Sequence, residues 1–243
     1  MPAALCQFFP AMRIHPFPVK TLLALGILTS LAPAVRAAGP GTLRENIEWC
    51  DCWFPGSEKS DLPHVVLIGD SITRGYYPIV AKCLTGKAYV ARMASSQFLS
   101  DPLLLGQLRL FLSQMKVDVI HFNNGMHGWN YTEEQYRAAF PAFLAAIRES
   151  APHAKLIWAA TTPTSLPGHP DQDGPLTARV KVRNAIAREF IATAGIPEDD
   201  LFALCEAHPE YHDDGGIHFK PEAIALQGQQ VAAAIEKLLP AAK

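Results

Sequence analysis

Three segments of this sequence carry the side chains that nucleophilic attack on an acyl group requires. Gly-Asp-Ser-Ile-Thr at 69–73 supplies a hydroxyl, Asn-Asn-Gly-Met-His-Gly at 123–128 supplies amides, and Asp-Asp-Gly-Gly-Ile-His at 213–218 supplies an imidazole beside acids. A histidine that accepts the serine proton creates a nucleophile, and N–H donors stabilise the oxyanion that its attack produces. Together these residue types indicate a serine hydrolase.

Each of these residues also has a purely structural interpretation. An Asp-Ser pair begins many helices, so Ser71 fits a helix start as well as a nucleophile. Asn123 and Asn124 fit a capped turn as well as an oxyanion donor, and His218 fits a hydrogen-bonded structural histidine. The nucleophile turn of α/β-hydrolases needs glycine two residues after the serine, where this chain has Thr73, so that fold is disfavoured.

Alternation of apolar and amphipathic stretches predicts the elements that position these residues. Short apolar runs predict strands at 65–68, 88–91, 117–122, 156–159 and 201–204. Helical spacing predicts helices over 102–115, from a capping box at Thr132, over 177–193 and over 221–239. This alternation predicts one α/β domain in which helices cover both faces of a parallel sheet, a three-layer α/β/α sandwich.

The predicted strands bring the three segments to one edge of the sheet. Ser71 follows the first strand, Asn124 follows the third, and His218 precedes the last helix, although 53 and 94 residues separate them along the chain. The long loop 161–176 follows the fourth strand and lies at the same edge, where open α/β sheets bind ligands. Convergence of the three side chains favours catalysis over three unrelated structural roles.

With these blocks in order, the mature domain from about Val65 to Leu239 resembles the SGNH hydrolase, or GDSL esterase, superfamily. Gly-Asp-Ser-Ile at 69–72 matches the first block, Asn124 the third and His218 the fifth. The resemblance implies a flavodoxin-like sheet of five parallel strands, Ser71 as nucleophile and His218 as base. It also implies an oxyanion hole formed by the Ser71 N–H, the Asn124 side chain and a second-block backbone N–H, with no metal or organic cofactor.

The chain departs from the family pattern in two blocks. The second block usually offers glycine, and we place Ser96 at that position as the backbone donor. The fifth block usually has Asp three residues before His, but Gly215 stands there and Asp214 lies one residue earlier. We predict that the flexible glycines let Asp214 orient His218. Asp213, or a Ser-His dyad oriented by a backbone carbonyl, stays open as an alternative.

Three further side chains are candidates for the substrate cleft. His127 and Trp129 follow the oxyanion Asn124, and Trp129 suits either stacking on a sugar or a half-buried packing role. Arg74, three residues after the nucleophile, suits binding of a substrate carboxylate or pairing with a surface acid. Elsewhere, His169 and His208 lack the clustering of ligands that a metal site needs, so no metal is expected.

The N-terminal residues 1–37 have the pattern of a secretory signal. They contain three basic residues and no acid, an apolar run at 21–31 and small residues before a cleavage point after Ala37. An uncleaved membrane anchor is the alternative. Residues 38–63 are predicted to form an arm that packs on the domain at 64–243, because they include the apolar Ile47, Trp49, Trp53 and Phe54.

Composition and charge limit the classes of molecule that the protein is expected to bind. The chain has 243 residues, 49% of them hydrophobic, and a net charge of −2 without a Lys/Arg run, so nucleic-acid binding is not expected. An exported chain meets oxidising conditions in which Cys50, Cys52, Cys83 and Cys205 can pair. A Cys50–Cys52 disulfide would be strained, so a disulfide between one of them and Cys83 or Cys205 would have less strain.

The sequence therefore predicts an exported serine esterase, periplasmic or extracellular, without stable membrane insertion after signal cleavage. Its expected substrates are small acyl esters, above all O-acetyl groups on a carbohydrate. Two alternatives stay open: a lipase or thioesterase with an apolar acyl pocket, and a polysaccharide-binding domain that has kept the fold and lost turnover.

Overall fold

The computed structural model describes residues 41–240. The predicted signal at 1–37 lies outside the described residues. Eight strands are present in this part of the chain: β1 (Cys50–Trp53), β2 (His64–Gly69), β3 (Tyr89–Ser95), β4 (Val119–Phe122), β5 (Lys155–Ala159), β6 (Ser165–Leu166), β7 (His169–Asp173) and β8 (Glu198–Asp199). Six α-helices accompany them: α1 (Ser71–Cys83), α2 (Pro102–Leu112), α3 (Glu133–Ser150), α4 (Thr177–Thr193), α5 (Leu201–Glu206) and α6 (Pro221–Glu236).

The central sheet has the order β1-β3-β2-β4-β5-β8, and its last five strands are parallel. Every residue of β2 and β4 is buried, which explains why these strands are continuous apolar runs. Helix α1 packs against α6, while α3 packs against both α2 and α4. The predicted α/β/α architecture with five parallel strands is confirmed, and β1 adds an antiparallel edge strand that the sequence analysis did not anticipate.

Two local predictions were wrong. Residues 201–204 form the start of helix α5, and the fifth parallel strand is the two-residue β8 just before it. Asp200 caps this helix by accepting a hydrogen bond from the Ala203 N–H at 2.9 Å. Leu201 and Phe202 are buried at its start, whereas Ala203 is exposed. The segment 161–176 is also more ordered than a loop, because β6 and β7 form an antiparallel hairpin within it.

The arm preceding β2 contacts the domain through polar as well as apolar groups. Strand β1 pairs with β3, and Arg44 forms an ion pair with the buried Asp101 at 2.9 Å. The Leu43 N–H donates to the Tyr131 hydroxyl at 2.7 Å. These contacts carry the segment between Leu43 and Trp49 across the carboxyl edge of the sheet, toward the residues singled out for catalysis.

The cysteines do not adopt the expected pairing. The Cys50 and Cys52 sulfur atoms lie 3.7 Å apart as free thiols on β1. Cys205 is buried and accepts a hydrogen bond from Gln227 at 3.3 Å, and Cys83 is likewise a free thiol. The structure thus places Cys50 next to Cys52 because side chains two apart share one face of a strand.

Within residues 41–240, none of the helices combines the length and apolar character needed to cross a bilayer.

Candidate active site

The nucleophile lies at the turn between β2 and α1. Asp70 caps the helix, and its carboxylate accepts the Ile72 N–H at 2.9 Å. Gly69 is required beneath the turn, because a Cβ there would lie 2.1 Å from the Thr73 hydroxyl oxygen. With Asp70 as the cap, the Ser71 hydroxyl is free for another partner, and its Oγ lies 2.8 Å from His218 Nε2. This is hydrogen-bond distance for a nucleophile and its base.

A tight loop before α6 presents His218. The Asp213 N–H donates to the His218 carbonyl at 3.0 Å, and the Ser165 N–H donates to the Gly216 carbonyl at 2.7 Å. Gly216 has φ of +75°, and a Cβ there would lie 2.2 Å from the Ser165 carbonyl oxygen. The loop therefore needs glycine at this position, and the β6 segment anchors the backbone that carries His218.

The structure does not place Asp214 where the sequence analysis expected it. Asp214 is exposed, and among the described residues no carboxylate hydrogen-bonds to His218. The Asp213 carboxylate instead accepts the Gly215 N–H at 3.0 Å and stabilises its own turn. The two glycines thus close a turn in which neither acid reaches the imidazole. Among the described residues, Ser71 is the hydrogen-bond partner of the His218 side chain, and neither an acid nor a backbone carbonyl accepts from its other nitrogen.

The adjacent asparagines 123 and 124 have different environments. Asn123 is buried and donates both of its amide hydrogens, to the Ala159 carbonyl at 2.7 Å and to the Thr161 hydroxyl at 2.9 Å. Asn124 donates to the Gln97 carbonyl at 2.9 Å. Since a side-chain amide has two N–H donors, Asn124 retains one for a ligand. Asn124 is the residue that can bind an oxyanion, whereas Asn123 joins β4 to the neighbouring loop.

Ser96 does not provide the free backbone donor that was predicted for it. Its N–H donates to the Trp49 carbonyl at 3.1 Å, and its hydroxyl donates to Glu48 at 2.8 Å. The reason is the arm, which continues the pairing of β1 past the end of β3 and uses this N–H. The donors that remain available are the Asn124 amide and the Ser71 N–H, which lies in a first helical turn without an intrahelical acceptor.

The arm also builds one wall beside the nucleophile. The Arg74 guanidinium carbon lies 5.0 Å from the centre of the Trp49 ring, and the rings of Trp49 and His127 pack in a T-shaped arrangement with centroids 6.1 Å apart. Glu45 accepts a hydrogen bond from His127 Nδ1 at 3.0 Å. Two of the predicted cleft residues, Arg74 and His127, are therefore brought together by Trp49. The apolar composition of the arm was the only sequence signal for this role.

Trp129 has a packing role in the structure. It is half-buried, and the guanidinium carbon of Arg183 lies 4.2 Å from its ring centre. Arg183 is fully buried and donates to the carbonyls of Gly125, His127 and Gly128 at 3.0, 2.7 and 3.1 Å. Burial lowers the pKa of the Arg183 guanidinium. This arginine, which the sequence analysis missed, fixes the loop that follows Asn124.

A buried hydrogen bond joins two ionisable side chains within the sheet. His121 Nε2 is 3.0 Å from an oxygen of Asp199, whose other oxygen accepts a hydrogen bond from Gln230 at 2.8 Å. Burial alone would raise the pKa of Asp199, but hydrogen bonds and charge from His121, with help from Gln230, hold it below its usual range. Both side chains are buried, and neither hydrogen-bonds to Ser71.

A cavity of about 10 Å³ lies behind the nucleophile turn, bordered by Asp70, Asn123, Thr161 and Thr162 among others. Ser71, Asn124 and His218 do not line it. That volume holds about one water molecule. Two larger clefts, of about 600 and 680 Å³, are lined by other segments of the chain and contain none of the candidate catalytic side chains. Within residues 41–240, no group of three or more His, Cys, Asp or Glu side chains has metal-site geometry.

A family model for the GDSL-like Lipase/Acylhydrolase family matches residues 67–226, which include Ser71, Asn124 and His218. The chain belongs to this family. The resemblance to SGNH, or GDSL, enzymes is thereby confirmed, and the chain is an ester-bond hydrolase. In this GDSL-family chain the first and fifth blocks meet at the Ser71–His218 contact, while the second block is occupied by the arm.

Solved structures show the same fold at low identity. The lipase/acylhydrolase from Enterococcus faecalis is 20% identical, with a TM-score of 0.58, covering 74% of this chain and 98% of that one. A carbohydrate esterase family 3 protein from Talaromyces cellulolyticus is 17% identical, with a TM-score of 0.58 and coverages of 73% and 98%. Est24, a carbohydrate acetylesterase from Sinorhizobium meliloti, is 14% identical, with a TM-score of 0.57 and coverages of 72% and 99%. No curated protein sequence matches this chain.

Proposed function

We propose that this GDSL-family hydrolase is an exported serine esterase that removes small acyl groups, chiefly O-acetyl groups, from carbohydrates. The observation that carries the proposal is the 2.8 Å contact between Ser71 Oγ and His218 Nε2 at the carboxyl edge of the sheet, with a free Asn124 donor nearby in the fold. Export is proposed from the signal-like pattern of residues 1–37.

The chemistry follows from the positions of the three side chains. Ser71 Oγ attacks the ester carbonyl as His218 Nε2 accepts its proton. The Ser71 N–H and the Asn124 amide stabilise the oxyanion. The intermediate collapses, and His218 protonates the departing alcohol. Water, deprotonated by the same Nε2, then attacks the acyl-enzyme, and collapse of the second intermediate releases the acid and restores Ser71.

The names of two similar structures support a small acyl group on a carbohydrate. They are a carbohydrate esterase and a carbohydrate acetylesterase, and both have this fold. These names describe those proteins, and they supply the hypothesis that we propose to test here.

The test is an acyl-chain-length profile with purified protein. We expect hydrolysis of p-nitrophenyl acetate, with kcat/KM falling steeply from acetate to octanoate. Ser71→Ala is the control, and it should lose several orders of magnitude in kcat while its thermal unfolding stays close to that of the parent protein. A maximum at long chains would make the protein a lipase. Absence of hydrolysis with every ester, in a folded protein, would favour a silent binding domain.

A further inference from the structure

We propose that Arg74 is a binding site for a carboxylate on the alcohol portion of the substrate, so that the preferred substrates are acyl esters of an acidic sugar such as a uronate. This inference rests on the proposed function and narrows its substrate class. It starts from the place of Arg74 on α1, three residues after Ser71. Side chains three apart lie on the same side of a helix, about 5–6 Å apart at Cβ.

Arg74 differs from the other arginines of residues 41–240 in its partners. Each of the others pairs with a carboxylate or donates to a backbone carbonyl: Arg44, Arg92, Arg109, Arg137, Arg148, Arg179, Arg183 and Arg188. Arg74 is exposed, and its contact in the described structure is the face of Trp49. A ring face holds a guanidinium without using its N–H groups, so the five donors stay available for a ligand.

The ring that holds Arg74 is itself fixed. The Trp49 backbone exchanges two hydrogen bonds with Ser96, donating its N–H to the hydroxyl at 2.9 Å and accepting the Ser96 N–H at 3.1 Å. Its ring is braced by His127, which Glu45 holds in turn. Such preorganisation reduces the entropy that the guanidinium loses when it binds a ligand.

Glu45 and Glu48, the acids nearest to Trp49 on the arm, form no ion pair with Arg74. Glu45 accepts hydrogen bonds from His127 and from the Gly128 N–H at 2.8 Å. Glu48 accepts the Ser96 hydroxyl and the Glu45 N–H, both at 2.8 Å. Both carboxylates are therefore engaged within the wall. A charged guanidinium remains beside the nucleophile, and its planar fork suits a carboxylate in a two-pronged contact.

The short helical spacing between Ser71 and Arg74 suits a small acidic ester. Helix neighbours lie about 5–6 Å apart at Cβ, so one sugar that bears both groups can span an ester carbonyl at Ser71 and a carboxylate at the Arg74 guanidinium. A monosaccharide that carries both an O-acetyl group and a ring carboxylate meets this requirement. A neutral sugar would leave the guanidinium facing water.

The experiment compares two matched substrates, O-acetylated methyl glucuronoside and O-acetylated methyl glucoside, which differ only in the carboxylate. We expect the parent protein to favour the acidic ester in kcat/KM by about 10-fold or more. Arg74→Gln should bring this ratio close to one, mainly through KM, and Arg74→Lys should retain part of it. The preference should also weaken as salt is added. Arg137→Gln, which breaks a surface pair with Glu189, is the matched control and should leave the ratio unchanged.

A ratio near one in an active parent protein would overturn the Arg74 site while leaving the esterase proposal intact. If neither these esters nor p-nitrophenyl acetate is hydrolysed, the proposed function fails. The Arg74 site can then still be tested by calorimetric measurement of glycoside binding to the parent protein. The unacetylated methyl glucuronoside should then bind more tightly than the methyl glucoside, and Arg74→Gln should abolish the difference. Equal binding of the two glycosides would refute the inference.

Discussion

The paired asparagines at 123 and 124 allow a sharp test of the oxyanion assignment. Replacing Asn124 with alanine removes one donor from the oxyanion hole. The amide already donates one hydrogen to the Gln97 carbonyl at 2.9 Å, so a single N–H is left for the transition state. Loss of one such donor costs about 2.7–4 kcal/mol of transition-state stabilisation, or about 10²–10³ in kcat.

The structure also predicts that KM and folding change little in Asn124→Ala. An oxyanion donor acts mainly in the transition state, so KM should stay within a few-fold of the parent value. The Asn124 carbonyl still accepts the Tyr136 hydroxyl at 2.7 Å, and Arg183 still holds the loop that follows. The loss of one hydrogen bond to Gln97 should cost about 1 kcal/mol of stability.

Asn123→Ala is the matched control, since it makes the same substitution one residue away. It removes two buried hydrogen bonds, to Ala159 and Thr161, and should cost about 2 kcal/mol in the free energy of unfolding. Its kcat in the folded protein should change only a few-fold. Steady-state kinetics and denaturant unfolding on both variants measure these effects. A larger kcat loss in Asn123→Ala than in Asn124→Ala, or a pure KM effect in the latter, would refute the assignment.

Two further predictions concern acids. Asp214→Asn and Asp213→Asn should both keep near-parent kcat in p-nitrophenyl acetate hydrolysis, because neither carboxylate contacts His218. A selective loss of kcat in Asp214→Asn would instead support the triad expected from the family pattern. Because folding lowers the pKa of Asp199, its carboxylate should stabilise the folded protein at pH values above the ordinary pKa of 3.8. This contribution should be lost as the pH falls through the lower folded-state pKa, since the unfolded chain takes up the proton first. Denaturant unfolding between pH 5 and pH 2.5 should therefore show a shallower decline in Asp199→Asn than in the parent, and parallel curves would contradict this.

The parts of the site predictable from sequence are those fixed by strand ends. Ser71 and Asn124 each follow a buried strand of the parallel sheet, and the loop of His218 precedes a helix that opens with proline. Local sequence sets these positions, so the order of elements brings them to one edge. The same applies to the capping box at Thr132, which forms as expected at the start of α3.

The parts that failed depend on contacts between distant segments. The Ser96 N–H donates to the carbonyl of Trp49, which lies 47 residues earlier in the chain. The local sequence around Ser96 does not predict this hydrogen bond. The tetrad at 201–204 is too short for its period to separate a strand from a buried helix face. Arg183 is a similar case, since a helical arginine normally signals a solvent-exposed face and its three acceptor carbonyls lie more than 50 residues away.

The exposed setting of His218 reduces the need for a partner carboxylate. In a buried triad, the acid offsets the charge of an imidazolium that water cannot reach. His218 is exposed, so water solvates the imidazolium that forms as Ser71 attacks. Orientation, the other task of the acid, falls to the backbone, because Asp213 and Ser165 fix the loop through main-chain hydrogen bonds. An open dyad of this kind also lets an ester on a bulky chain approach the nucleophile, as the proposed carbohydrate substrate requires.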